Sequence, residues 1–322
     1  MKNLKIGMIG AGMIAHRHCE EINAHPNATV VAVADPNSER RIDLKKKFNL
    51  RRAYEKTEDL IADPDIDAVT IAVPNFLHAD YSIASLEAGK HVMLDKPFAL
   101  NYQQAKAVEE AAKKSGKVFT VGMNMRFRKE SQAVKVLIEK GRIGDPYHSK
   151  SYWFRRSGIP KLGTWFGQKE LSGGGVLFDI GVHLLDLALF FMDNFEAEAV
   201  SGLTHKTFGH RGLGEGGWGL STSRIENQFD VEDLATALVR LKGGATVVLE
   251  VAWAIHQQEP NRHNVEVFGS EAGITAFNSR LCFFGENQGD YEVVVPEKVA
   301  VPHPHENRFI NWINAILDNE EL

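Results

Sequence analysis

Only two cysteines, Cys19 and Cys282, occur in the 322 residues, too few for a disulfide framework or a cysteine-built zinc cluster. No block of lysines and arginines is present and the formal net charge is −5. That balance argues against a nucleic-acid or membrane-surface partner. No apolar run reaches the length of a membrane span, and Met1-Lys2-Asn3 leads into the first strand without a signal-peptide core. Repeats and low-complexity tracts are missing too. The 13 histidines are scattered, so their number implies no metal site. These absences leave an ordinary globular chain, 43% hydrophobic and 25% charged. It is expected in the cytoplasm and is long enough for about two domains.

What is present begins at Lys5–Ala15, K-I-G-M-I-G-A-G-M-I-A. Ile6, Met8 and Ile9 form a short apolar run with no polar face, as a strand buried on both sides would. Gly10, Ala11, Gly12 and Met13 then turn the chain, and Ile14 to Ile22 continues in helical style. Gly10 allows the tight turn, Gly12 lets a pyrophosphate approach the backbone, and Ala15 lets helix and strand pack closely. The free N–H groups and positive dipole end of that helix suit phosphates. About twenty residues on, Asp35 ends a second strand, T-V-V-A-V-A-D, at the spacing of a carboxylate that binds the adenosine ribose hydroxyls.

Strand and helix signals alternate up to residue 122. Strands are expected at Thr29–Asp35, Asp67–Val73, His91–Leu94 and Val118–Val121, with helices at Ser38–Phe48, His78–Glu87 and Tyr102–Lys114. The rhythm predicts a doubly wound parallel sheet, an α/β Rossmann domain over 1–122. Three marked loops, Gly10–Gly12, Val73–His78 and Asp95–Pro97, should then converge at its carboxyl edge. From Met123 the rhythm changes. After a helix at Glu130–Glu139 come strand-like runs at Tyr147–Arg155, Ala197–Thr207, Leu234–Leu241, Thr246–Trp253, Asn264–Phe268 and Tyr291–Val295. Lys242-Gly243-Gly244 reads as a hairpin turn, and His210–Ser223 as a mobile loop. Residues 123–322 are therefore expected to form an α+β domain on an open, mostly antiparallel sheet. A partner subunit is the usual cover for such a sheet's free face.

Three stretches could carry chemistry. Asp95-Lys96-Pro97 ends the fourth strand; the proline restricts Lys96 and is a candidate for a cis bond. The same residues also suit a solvated lysine beside a turn. Leu171–Leu187, L-S-G-G-G-V-L-F-D-I-G-V-H-L-L-D-L, offers three glycines for a close backbone approach to a ligand or another chain. Asp179 and His183 stand i, i+4, with Asp186 placed to orient the second ring nitrogen. A carboxylate beside an imidazole is a general-base arrangement, though an N-cap and a core histidine would look alike. Two ligands without a companion make poor zinc coordination, so no metal is expected. Tyr152–Phe166 combines aromatic rings with Arg155 and Arg156, which suits a sugar ring and an anionic group on it. On a regular strand the two arginines point to opposite faces.

Together these residues resemble the family of glucose–fructose oxidoreductase, inositol dehydrogenase and the MocA-like rhizopine proteins. The matching features are Ile9–Ala15, Asp35, V-P-N-F-L-H at Val73–His78, D-K-P at Asp95–Pro97, V-G-M-N-M-R-F at Val121–Phe127 and Gly173–Asp186. The resemblance implies a Rossmann domain, a C-terminal sheet used for dimerisation, a nicotinamide dinucleotide, and hydride transfer at a carbinol carbon of a sugar or cyclitol. By position, Lys96 corresponds to the catalytic lysine, Asp179 to the substrate-orienting aspartate and His183 to the acid/base histidine. Pro74, Asn75 and His78 fall in the loop lining the cofactor, and Asp95, Asn124 and Arg126 lie beside it. Arg156, Trp165 and the 210–223 loop would face the sugar. The family's usual glutamate before the lysine is Asp95 here. Its members commonly continue into a further helix, whereas this chain stops at Leu322.

The expected activity is an NAD(H)-dependent dehydrogenase of a sugar, sugar derivative or inositol, acting as a homodimer or homotetramer. Asp35 favours NAD over NADP by repelling a 2′-phosphate, with Arg40 and Arg41 close enough to soften the preference. The rivals are a reductase of keto-sugars, a redox-neutral glycosidase that uses NAD transiently, and a non-catalytic sensor of NAD or sugar.

Overall fold

The structure, a computed structural model, describes residues 3–218, 229–277, 281–285, 291–294, 298–301, 307–320 and 322. The chain divides into two compact units: Met1–Gly122 with Glu170–Gly173 and His305–Leu322, and Met123–Lys169 with Gly174–Pro304. A division at residue 122 alone omits the two short returns to the first unit.

In the first unit, strands β1 (Leu4–Ile9), β2 (Ala28–Ala34), β3 (Arg52–Tyr54), β4 (Ala68–Ile71), β5 (His91–Leu94) and β6 (Phe119–Val121) form one sheet. Its order is β3-β2-β1-β4-β5-β6, with every pair parallel. The connecting helices are α1 (Met13–Asn23), α2 (Ser38–Lys47), α3 (Thr57–Ala62), α4 (His78–Glu87) and α5 (Tyr102–Ser115). This is the expected doubly wound sheet. Side chains of β1 divide between its faces: Ile6 and Met8 join Cys19, Ile22, Phe309 and Trp312, while Ile9 joins Leu60, Val69 and Leu94. The buried positions of α1, Ala15, His18, Cys19 and Ile22, repeat at helical spacing and define its inner face. Asn37 caps α2 by accepting from the Arg40 amide, and Asn101 caps α5 by accepting from the Gln104 amide. Both β3 and α3 went unanticipated, because three edge residues and a six-residue helix carry too little periodicity to read.

Two further helices belong largely to this unit: α7 (Lys169–Ser172) and α9 (Arg308–Leu317). Asn307 caps α9 by accepting from the amides of Phe309 and Ile310, and Phe309, Trp312 and Ile313 enter the core shared with α1.

The second unit holds α6 (Lys129–Glu139), β7 (Pro146–Arg155), α8 (Val182–Met192), β8 (Ala197–His205), β9 (Leu234–Leu241), β10 (Thr246–Ala252), β11 (Asn261–Gly269), β12 (Ala272–Thr275), β13 (Leu281–Gly285) and β14 (Tyr291–Val294). The strands form one sheet, β14-β13-β12-β11-β7-β10-β9-β8. Only β7 and β10 run parallel; the other pairs are antiparallel. The expected hairpin joins β9 to β10, with Gly243 and Gly244 both at positive φ, as a tight right-twisted hairpin requires. Leu184, Leu187, Ala188 and Phe191 of α8 share a core with Val247, Val251, Val265 and Val267 of one sheet face.

The helical run Lys169–Met192 spans 24 residues with a window hydropathy of 1.8, so one stretch does reach membrane-span length, contrary to expectation. Half of that window is buried, and α8 supplies core side chains to the second unit, as a core helix does. Of the expected 210–223 loop, residues 219–223 lie outside the described residues, as does Val295.

Trp312 is 0% exposed and ties α9 to the first unit. Trp312→Ala should destabilise that unit by about 3–5 kcal/mol, measured by denaturant titration. An unchanged midpoint would mean that α9 is not part of the folded unit.

Candidate active site

The three marked loops of the first unit do meet. Gly10, at φ +96°, lies so near the end of β4 that a Cβ would stand 2.3 Å from the Ala72 carbonyl oxygen. Its amide donates to Ala34 O at 2.8 Å. Gly12, the N-cap of α1, has φ −71°, which any residue adopts, and a Cβ there would meet no protein atom within 4 Å. Protein packing therefore explains Gly10 but not Gly12. A glycine facing open space at a helix N-terminus fits a phosphate-bearing ligand brought against the backbone. Ala11 is buried, while Met13 and Ile14 are exposed on the same turn.

Asp35 closes one side of this cradle. Its Oδ2 accepts from the Ala11 amide at 2.7 Å and its Oδ1 from the Asn37 amide at 2.8 Å. A carboxylate has about four acceptor sites, so capacity remains for ribose hydroxyls. Arg41 donates to the Asp35 carbonyl and so braces the turn.

On the other side, Pro74 precedes a 3-10 turn, Asn75–Leu77. Asn75 is buried and donates to Ser172 O at 2.7 Å. His78 was expected to line the cofactor, but its ring is buried between two loops. Nδ1 lies 2.7 Å from Pro97 O and Nε2 lies 3.0 Å from Val73 O. Burial pulls its pKa down, against the pull of Pro97 O, Asp95 and Val73 O. A neutral imidazole has one N–H and so donates to one of these two carbonyls, and through the ring the Val73–His78 and Asp95–Pro97 loops pack together. The Lys96–Pro97 bond is cis, and the Lys96 amide donates to Asp95 Oδ1 at 2.9 Å. Burial would raise the Asp95 pKa, but Arg308, His18, Lys96 and His78 hold it below the usual carboxylate value. Cys19 is no nucleophile, since burial pushes its thiol up to about 12.

In the second unit, Gly174 and Gly175 pack against the chain itself. A Cβ on Gly174 would stand 2.6 Å from the Phe178 ring, and one on Gly175 2.0 Å from Glu232 O. The approach expected for a ligand or another chain is made by its own backbone and a ring. Glu232 also caps the start of the following helix, its Oε1 accepting from the amides of Gly175 and Leu177 at 2.9 and 3.1 Å. Asp179 lies in a π-helical turn, Leu177–Gly181, a local widening that recurs at functional sites. Its Oδ2 accepts from Trp253 Nε1 at 2.8 Å, and both residues are buried. His183 follows in the first turn of α8, half-buried.

Three expectations change here. Asp186 does not serve His183, for its carboxylate is taken by the guanidinium of Arg126, with Nε to Oδ2 at 2.8 Å and Nη2 to Oδ1. Arg126 also lies over the rings of Phe190 and Phe195, so its fork is engaged within this unit. Asn124 is exposed. Arg156 is exposed and donates to Gln258 O at 3.2 Å. The arginine within the field of Asp179 is Arg155, which lies 4.8 Å from the Trp153 ring centre and 5.9 Å from that of Trp218. Trp165 stacks on Phe166 at 3.9 Å. Trp253, Glu232 and Arg155 have no local signal marking them as partners of Asp179 and its turn; their register in the sheet brings them there.

A parallel sheet carrying an open glycine turn and a strand-end carboxylate defines a dinucleotide-binding domain. Residues 4–123 match the model of an oxidoreductase family with an NAD-binding Rossmann fold, and residues 131–275 match the GFO/IDH/MocA C-terminal domain. The chain belongs to the GFO/IDH/MocA oxidoreductase family. It is similar to the D-glucoside 3-dehydrogenase of Escherichia coli, 28% identical over 97% of this chain and 88% of that one. Similarity extends to the myo-inositol 2-dehydrogenase of Thermotoga maritima, 30% identical over 89% and 80%. It extends also to the levoglucosan dehydrogenase of Pseudarthrobacter phenanthrenivorans, 30% identical over 85% and 73%. A solved levoglucosan dehydrogenase in complex with NADH and L-sorbose superposes with a TM-score of 0.83 at 25% identity, over 99% of this chain and 91% of that one.

The contrast between the two glycines is testable. Gly12→Val should weaken NAD binding by about 100-fold or more in a fluorescence titration while leaving the melting temperature close to wild type. Gly10→Ala should lower the melting temperature, because its Cβ meets backbone. Tight NAD binding by Gly12→Val would separate this turn from the cofactor.

Proposed function

We propose that the chain oxidises one secondary hydroxyl of a sugar, sugar derivative or inositol with NAD, through Lys96, Asp179 and His183. The observation that carries this reading is the place of Lys96 on the rim of the nucleotide cradle. Gly10 packs on Ala72 and Val73, the Val73 carbonyl meets the ring of His78, and that ring meets the Pro97 carbonyl. This anchors Lys96 at the strand edge that carries the glycine turn, which supports a place beside the cofactor.

When bound, NAD supplies the carbon that accepts the hydride. The Lys96 ammonium stabilises the negative charge that grows on the substrate oxygen as its proton leaves, and His183 takes that proton. Asp179, held by Trp253, accepts from a neighbouring hydroxyl and orients the sugar. Two sugar or cyclitol dehydrogenases among the relatives span most of this chain, which supports a polyol substrate. Asp35 favours NAD over NADP, since a 2′-phosphate would face its carboxylate. Cytoplasmic location belongs to the same reading.

The second-unit sheet also supports a homodimer or homotetramer. Leu203 at 70%, Leu238 at 48% and Phe268 at 36% exposure lie on one sheet face by register, opposite the face covered by α8. They stand among Lys150, Glu250 and Glu266 on that face, and exposed apolar side chains on a free sheet face support self-association.

Mixing the protein with NAD and a panel of inositols, aldoses, glycosides and sugar phosphates should raise absorbance at the NADH band. Lys96→Ala and His183→Ala should each lower kcat by roughly two to four orders of magnitude with NAD binding nearly unchanged. Near-wild-type turnover in either variant sinks its assignment. Tight NAD binding with no NADH formed would favour the redox-neutral or sensing alternatives.

Leu238→Glu should convert the oligomer to a smaller species in sedimentation velocity. A wild type that already sediments as a monomer removes the interface.

A further inference from the structure

A buried polar cluster in the first unit has no part in the reaction as written above. At its centre stands Arg308, 7% exposed, in the first turn of α9 and outside both stretches matched by the family models. Its Nη1 donates to Gly122 O at 2.8 Å and lies 3.4 Å from Asp95 Oδ1. Its Nη2 lies 2.7 Å from His18 Nε2, and its Nε is 3.9 Å from Glu21. The ring of Phe309 packs 5.1 Å from the guanidinium.

The geometry fixes where protons can be. A guanidinium has donors and no lone pair, so His18 Nε2 must accept. The proton of the neutral ring then rests on Nδ1, with Thr70 Oγ1 at 3.5 Å. A protonated His18 would oppose N–H to N–H across the 2.7 Å contact. Contact with Arg308 and protonation of His18 therefore exclude each other. This matters because His18 Nε2 also lies 3.9 Å from Asp95 Oδ2, a carboxylate that would draw a proton onto an unoccupied nitrogen.

We infer that Arg308 is a positioning residue for the Lys96 loop. By holding His18 Nε2 and Asp95 Oδ1 at once, it keeps His18 neutral and Asp95 ionised, so that the carboxylate that binds the Lys96 amide keeps one charge across the working pH range. The inference rests on the reading of Lys96 as catalytic. The groups facing the pair come from every neighbouring element: Arg17 and Glu21 from α1, His78 from α4, Lys96 from its own loop and Arg308 from α9. Burial pulls His18 down to about 3; Asp95 acts upward, and Arg308 and Arg17 act downward. With its pKa this low, His18 is neutral throughout the range in which an enzyme of this kind works. Removing Arg308 leaves the upward pull of Asp95 on His18 and removes the largest opposing charge from part-buried Asp95. Both pKa values then rise, that of His18 from about 3 toward its ordinary 6.5.

The test follows the ring nitrogens of His18 by nitrogen-15 NMR between pH 5 and 9 in the wild type, Arg308→Lys and Arg308→Met, with kcat–pH profiles beside them. In the wild type the ring should stay neutral, protonated at Nδ1, over the whole range. In Arg308→Met its pKa should rise by about two to three units, so that protonation becomes visible at the acid end of that range. There kcat should fall about tenfold with KM little changed, and the profile should gain an acid-limb ionisation that His18→Asn removes in the same background. Arg308→Lys, which keeps the charge, should recover most of the loss. A wild-type His18 that titrates near its ordinary value overturns the inference, even if Arg308→Met does not fold. So does a folded Arg308→Met with His18 still neutral and the wild-type profile. Absence of NADH formation in the wild type would count against the proposed function, while the ring titration still decides the role of Arg308.

Discussion

The approach of Gly10 to the Ala72 carbonyl is the contact on which the nucleotide face depends. With a Cβ 2.3 Å from that oxygen, β1 and β4 could not end side by side, and the turn into α1 would be displaced from the loop after β4. Because the approach is made, Val73 sits beside the glycine turn, His78 reaches the Val73 and Pro97 carbonyls together, and the Lys96 loop is brought to the same edge. Small residues and backbone groups do this work. The charged groups enter only after the strand ends have been aligned.

The second unit orders its polar groups by a different device. Its helix begins at a glycine run pressed against Glu232, whose carboxylate caps the first amides of the turn. That places Asp179 in the widened π-helical turn, where the indole of Trp253 at the end of β10 can donate to it. The neighbouring Arg126–Asp186 fork anchors the turn Asn124–Phe127 to α8. A buried carboxylate needs a fixed donor to avoid a large desolvation cost, and here one comes from a residue 74 positions away.

Asp95 shows how one carboxylate can join local and distant parts of the chain. It accepts from the amide of the next residue and also faces a guanidinium 213 positions later and an imidazole on α1. The local bond is expected at a strand end. The distant arginine, together with burial of the ring, holds the histidine neutral beside an anion, because a guanidinium can only donate to its nitrogen.

Strong periodicity made much of the fold legible. The buried strands of the first unit, the spacing from Gly10 to Asp35 and the glycines between β9 and β10 each state a backbone requirement in a few adjacent residues. The same locality misled at Asp186: a spacing of three from His183 makes them neighbours on a helix, but partnership went to Arg126, 60 residues earlier. Likewise Gly173–Gly175 advertised a close approach without saying by what, and Arg155 and Arg156 were separable by face but not by role. By itself, then, the sequence determined the dinucleotide-binding sheet and the turn at its edge. Only the tertiary structure decided which polar groups pair, with Trp253 holding Asp179, Arg126 taking Asp186 and Arg308 standing between His18 and Asp95. Strand and turn propensities act over a few bonds, whereas a buried hydrogen bond is chosen by whichever donor the fold brings within 3 Å.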